Sequence, residues 1–195
     1  MKDEPVWGAT LQNEKYTVHI TDAQLFTLDS TDNGAFDSVM NPRNLSRHDL
    51  YKTLCISVTE AKSMRIALIV DPLTSGQGCA ILEGDILTVL QNDRITQIDL
   101  ETVRMIANHE PDIFGTTFSI HRLPDGYLIY GEIEIIRLDD AFQAVWNFSG
   151  KDIFVSVTGK QPFDLTDETI KLYDFEDNFY ELDYNGNLLR EIPGG

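Results

Sequence analysis

The chain has 195 residues, 42% of them hydrophobic, with 32 acidic against 15 basic side chains and a net charge of −17. That apolar content suits a folded domain of ordinary size and is too high for a disordered chain. No apolar run approaches the roughly 20 residues a membrane helix needs, and so acidic a surface would repel the phosphates of a nucleic-acid partner.

The start, MKDEPVWGAT, lacks the basic-then-apolar pattern of a signal peptide, so a cytoplasmic location is expected. Residues 1–12 look frayed or edge-like. Residues 16–29 read as two strands about Thr21, Asp22, Ala23 and Gln24, and the turn-rich 30–44 as a loop. Residues 45–54 are expected to form a short helix capped by Asn44. Strands follow at 56–58 and 64–70, a loop at 72–78 and a hairpin at 80–100. Leu100, Val103, Ile106 and Ala107 fall at helical spacing, which predicts a helix over 100–110 stopped by Pro111. Residues 117–121 read as a strand, 124–126 as a turn and 127–148 as a second hairpin unit. A strand at 153–157 and a loop at 159–162 precede a third unit, which runs to Leu189; residues 193–195 form a tail.

Three stretches read alike: ILTVLQNDRITQIDL from Ile86, IEIIRLDDAFQAVWNF from Ile133 and IKLYDFEDNFYELDYNG from Ile170, with a weaker fourth copy from Tyr16. Each is a hydrophobic run, a short polar break and a second hydrophobic run, partly alternating as a half-buried strand does. Such hairpins must stack on one another to bury their faces. Their centres, Asn92, Asp140 and Asp177, are 48 and 37 residues apart, an uneven spacing. The fold expected is mainly β. Repeated antiparallel hairpins would form an open curved sheet or a partial propeller-like array, with one or two short helices. A single domain is expected, with 1–123 and 124–195 as its sub-units if it divides.

From Trp146 to Gly186 the chain resembles a blade of a β-propeller of the pyrroloquinoline-quinone or WD-repeat type: an aromatic closing one unit (Trp146), then a strand pair ending in a leucine-aspartate-x-x-glycine turn (Leu182, Asp183, Gly186). Residues 54–123 are similar to PDZ domains, with the glycine-aspartate turn at Gly84 and Asp85, a following strand at Arg94 and Ile95, a groove helix over 100–107 and a basic residue at Arg122. That resemblance implies a carboxylate-binding loop at Leu54, Cys55 and Ile56 and capture of C-terminal peptides by strand addition.

Residues 29–37 place oxygen ligands at alternate positions with Gly34 sixth, as in a calcium loop, but Met40 stands where a bidentate glutamate is needed, so they read as an acidic turn. His19, His48, His109 and His121 are scattered, and Cys55 and Cys79 lie outside any Cys-x-x-Cys pair and read as small buried hydrophobes; no metal or cofactor is expected. Glu132 and Glu134 could act as an acid–base pair, but adjacent same-face positions read as the wet side of a strand, with Ile133 and Ile135 facing the core. Gly194 and Gly195 resemble the diglycine end of ubiquitin-like modifiers, without the preceding pattern. The dense aromatic set Phe142, Trp146, Phe148, Phe154, Phe163, Tyr173, Phe175, Phe179, Tyr180 and Tyr184 reads as core, with some members facing out.

Residues 161–195 carry nine acids against two bases. Exposed tyrosines among acids make Tyr173, Asp174, Asp177, Tyr180, Asp183 and Tyr184 the expected partner-binding residues, and a basic protein the expected partner. In general character, small, acidic and without catalytic motifs, the chain resembles bacterial toxin-immunity proteins. The function expected is non-catalytic protein binding. The alternatives are a PDZ-like peptide adaptor and a hydrolase using carboxylates on a curved sheet.

Overall fold

The computed structural model describes residues 8–31, 33–34, 36–60 and 63–194. The diglycine end lies partly outside them, at Gly195, as do Asp32 and Ala35 of the acidic turn and most of the opening decapeptide. Among the described residues the secondary structure is all β, in four sheets, and no helix is long and apolar enough to cross a membrane. The chain divides into two compact units at Glu110/Pro111. Leu123, where a division had been placed, closes a hairpin inside the second unit.

The first unit holds two sheets. One comprises β1 (Gly8–Gln12), β2 (Thr17–Asp22), β3 (Ser38–Met40), β4 (Lys52–Thr59) and β5 (Met64–Val70), in the order β1-β2-β4-β5-β3. Four of its strands form an antiparallel meander, and β3 adds on parallel to β5. The other is the meander β6 (Ala80–Glu83), β7 (Ile86–Leu90), β8 (Ile95–Asp99) and β9 (Arg104–His109). Their facing sides merge into one cluster in which Val18, Ile20, Ile56, Leu68, Leu87 and Ile98 are fully buried. Lys15 Nζ, 2.8 Å from Asp85, and Asn13, which donates to the Gly84 carbonyl, tie the β1–β2 turn to the β6–β7 turn.

The second unit repeats the plan. One meander is β10 (Thr117–Leu123), β11 (Gly126–Gly131), β12 (Glu134–Leu138) and β13 (Ala144–Ser149); the other is β14 (Phe163–Leu165), β15 (Ile170–Tyr173), β16 (Phe179–Leu182) and β17 (Leu188–Ile192). Their shared cluster is aromatic-rich, with Tyr130, Phe154, Phe163 and Tyr180 buried among Leu128, Ile135 and Leu172. The last strand of each of three meanders, β9, β13 and β17, is mostly exposed, as an outer edge.

Both expected helices are absent. Over 100–103 the Asp99 carboxylate accepts from the Thr102 N–H and Leu100 donates to the Asp85 carbonyl. Val103 then turns the chain at φ +55°, and β9 returns against β8. The helically spaced Ile106 is 52% exposed, so that spacing marks no buried stripe. Over 45–54 the Asn41 side chain binds both the N–H and the carbonyl of Leu45, and Asp49 accepts from the Ser46 N–H and hydroxyl. Short polar side chains that bond the backbone locally compete with a helix ladder.

Other expectations also shift. Residues 16–29 contain one strand; past Asp22 the chain turns at Ala23 and Phe26, and Leu25 is 95% exposed. The fourth repeat is real but lies elsewhere, assembled from β1, β2, β4 and β5 across a long excursion. Residues 153–157 are not a strand: they cross over with Phe154 buried and its N–H bonded to the Glu132 carbonyl. The sheets are separate, not one open curve. The middle repeat had also been read one strand out of phase, since Asp140 belongs to the β12–β13 turn while Asn92 and Asp177 belong to the second turns of their meanders. Taking Asn92, Glu132 and Glu176 as equivalent turns, the spacings become 40 and 44 residues, which suits blades of roughly 40–45 residues.

Candidate functional site

Three hairpin turns in the second unit share one device. Asp139, Asp174 and Asp183 each close the turn by donating their N–H to the carbonyl four residues on (Gln143, Asn178, Asn187). Each aspartate Oδ1 accepts from the N–H groups two and four residues on, at 2.8–3.1 Å. The residue three on (Phe142, Asp177, Gly186) takes positive φ. Aspartate fits because its short carboxylate reaches its own turn.

This device claims two of the six expected partner-binding residues. Asp174 is fully buried, bonded twice by Asn178 Nδ2 and once by the Tyr180 hydroxyl at 2.8 Å. Asp183 is half-buried and spent on its own turn and on Asn187 Nδ2. Tyr180 is buried too; its oxygen accepts from the Lys151 N–H, and burial pushes its phenol up to about 12. Tyr184 is half-buried and donates to the Thr166 carbonyl. Asp174 and Tyr180 therefore offer nothing to a partner, a correction to the sequence reading. Tyr173 and Asp177 remain, brought together by Lys160, whose Nζ lies 4.9 Å from the Tyr173 ring centre and 3.3 Å from the Asp177 carboxylate.

Register builds a surface around them. On the face of β14–β17 away from the core, cross-strand neighbours form two rows. Asp164, Lys171, Glu181 and Arg190 alternate in sign from strand to strand. Tyr173, Phe179 and Ile192 form an apolar row, the two rings 5.1 Å apart, with Arg190 lying 5.9 Å over Phe179. Two adjoining hollows of about 380 and 490 Å³ share Lys160, Tyr173 and Phe179. The sequence reading had Phe179 in an aromatic set with some members facing out, without naming it as a partner-binding residue, and left out Lys160, Arg190 and Ile192. The five-residue Asp174 turn sets Tyr173 opposite Phe179, and that pairing was the available signal.

The propeller-like motif is also joined in space. Trp146 Nε1 donates to the Tyr184 carbonyl at 3.1 Å, and its ring lies where a side chain on Gly186 would have to be, 2.7 Å from an added Cβ. No group of three or more His, Cys, Asp or Glu among the described residues could hold a metal. Both cysteines are free and buried, and burial pushes the Cys79 thiol up to about 11. Glu134 is not on a wet face: it is buried and accepts from the Phe114 N–H and Asn147 Nδ2, both at 2.8 Å. The PDZ-type groove is not formed, since β4 is paired on both sides by β2 and β5, and 104–107 is strand. A separate cleft of about 430 Å³ lies under the β2–β3 excursion, lined by Phe26, Phe36 and Arg65.

No protein-family model and no curated protein sequence matches the chain. Among solved structures, the CNH domain of AfRom2 superposes with a TM-score of 0.54 at 10% identity, over 96% of this chain and 54% of that one. BamB from Moraxella catarrhalis gives 0.48 at 10% identity over 94% and 62%. The dihydro-heme d1 dehydrogenase NirN gives 0.49 at 14% over 74% and 35%. The chain thus spans about half to three-fifths the length of the first two. Within each unit two antiparallel meanders pack face on face, which defines the class: a propeller-like β protein.

Proposed function

We propose that this chain is a non-catalytic protein-binding module that contacts its partner through the outer face of β14–β17. The observation that carries this is the apolar row of half-buried Tyr173 and Phe179 and exposed Ile192, set among Lys160, Lys171 and Arg190 and as many acids. Aromatic and arginine side chains with mixed charge around them are what interface centres use. The net charge of −17 supports a basic partner, drawn in by long-range attraction; a toxin neutralised by this chain would be such a partner. The test is affinity capture with the wild-type chain and a Tyr173→Ser/Phe179→Ser variant at low and high salt. The reading expects one basic protein in near-equal amount, lost with the variant and weakened by salt. Equal capture by both chains would overturn it.

A further inference from the structure

We propose that β17 is a docking edge for an extended strand of the partner, and that Arg190 and Glu191 select a strand running apolar–basic–acidic. This rests on the protein-binding reading above and names the chemistry the partner would present.

Among the described residues β17 is bonded on one side only, to β16, and all five of its residues are exposed. An open edge presents unpaired N–H and C=O groups to any strand that can match it. Side chains then choose which strand. The row Asp164, Lys171, Glu181, Arg190 ends on a cation, so the next member is acidic. The row Tyr173, Phe179, Ile192 ends apolar beside the 490 Å³ hollow, so the next member is apolar. On the opposite face Glu191 stands 2.6 Å from Lys151, and a cation beyond it would continue that pairing. An antiparallel strand meets Ile192, Glu191 and Arg190 in that order, which gives apolar, basic, acidic. The other exposed last strands lack this pattern: β13 has no charged residue, and the cation of β9, Arg104, sits at its first position.

The experiment is fluorescence anisotropy with the full chain and the labelled peptide Thr-Val-Thr-Ile-Lys-Glu-Val-Thr. Its control, Thr-Val-Thr-Ile-Glu-Lys-Val-Thr, has the same composition and net charge. A third peptide carries N-methyl groups on alternate amides. Saturable binding of the first peptide, about ten-fold weaker binding of the second and none of the third are expected. The Arg190→Glu/Glu191→Arg variant should prefer the second peptide; exposed pairs contribute little to stability, and circular dichroism checks its fold. Equal binding of both orders, binding that survives N-methylation, or no saturation at millimolar peptide would each overturn the proposal. If the peptides fail while capture still depends on Tyr173 and Phe179, strand addition falls and the protein-binding reading stands.

Discussion

Asp174 is fully buried. Burial alone would raise its pKa, but the bonds from Asn178 and Tyr180 outweigh it and hold the carboxyl below the ordinary range. A lowered carboxylate pKa contributes stability that is fully present above the unfolded value, about 3.9, and is lost as pH falls through the folded value. The acid limb of the stability curve should therefore flatten in Asp174→Asn, as read by urea unfolding from pH 6 downward. Asp174→Ala, which leaves the Asn178 and Tyr180 donors buried and unpaired, should cost about 2–4 kcal/mol. Glycines offer a paired contrast. Gly84, at φ +55°, has nothing within 4 Å of an added Cβ, whereas Gly186, at φ +82°, faces the Trp146 ring. Gly84→Ala should cost about 1 kcal/mol of backbone strain. Gly186→Ala should cost more, with a shifted tryptophan emission; equal losses would show that the ring yields freely.

Elements differ in how firmly they are held. β7, β8, β11 and β12 are paired on both sides and mostly buried, whereas β9, β13 and β17 are exposed edges. Native-state hydrogen exchange should therefore protect the first group most and leave the edge strands fastest within each meander. Protection of β17 equal to that of β16 would mean its outer edge is already covered. The same elements show why the sequence was half readable. Hairpins such as β7–β8 and β15–β16 announce themselves through alternation and turn residues, both local signals. The β8–β9 corner was misread because Asp99 and Val103 stop the chain in a conformation that apolar spacing does not encode. β3 was out of reach because its parallel pairing with β5 crosses a long excursion. At the site, Tyr173 and Asp177 were legible as an aromatic among acids. The burial of Tyr180 was not, because it depends on packing against Phe148 and Phe154 from an earlier sheet and crossover, and Asp174 is buried bonded to its hydroxyl.

For the whole molecule, 17 excess negative charges repel one another in the folded state. Raising salt from about 10 to 150 mM shortens the screening length from roughly 30 to 8 Å, so the melting temperature should rise by a few degrees. A fall would show that attractive pairs such as Lys15–Asp85 outweigh the repulsion. Yet the acids are not interchangeable units of charge. Asp139, Asp174 and Asp183 are measured in length: one carboxylate spans two backbone N–H groups because a single methylene holds it there. A chain rewritten with glutamate at those three places would keep its charge, its isoelectric point and every apolar residue. It would still lose three corners, because the added carbon carries each carboxylate past the amides it must hold.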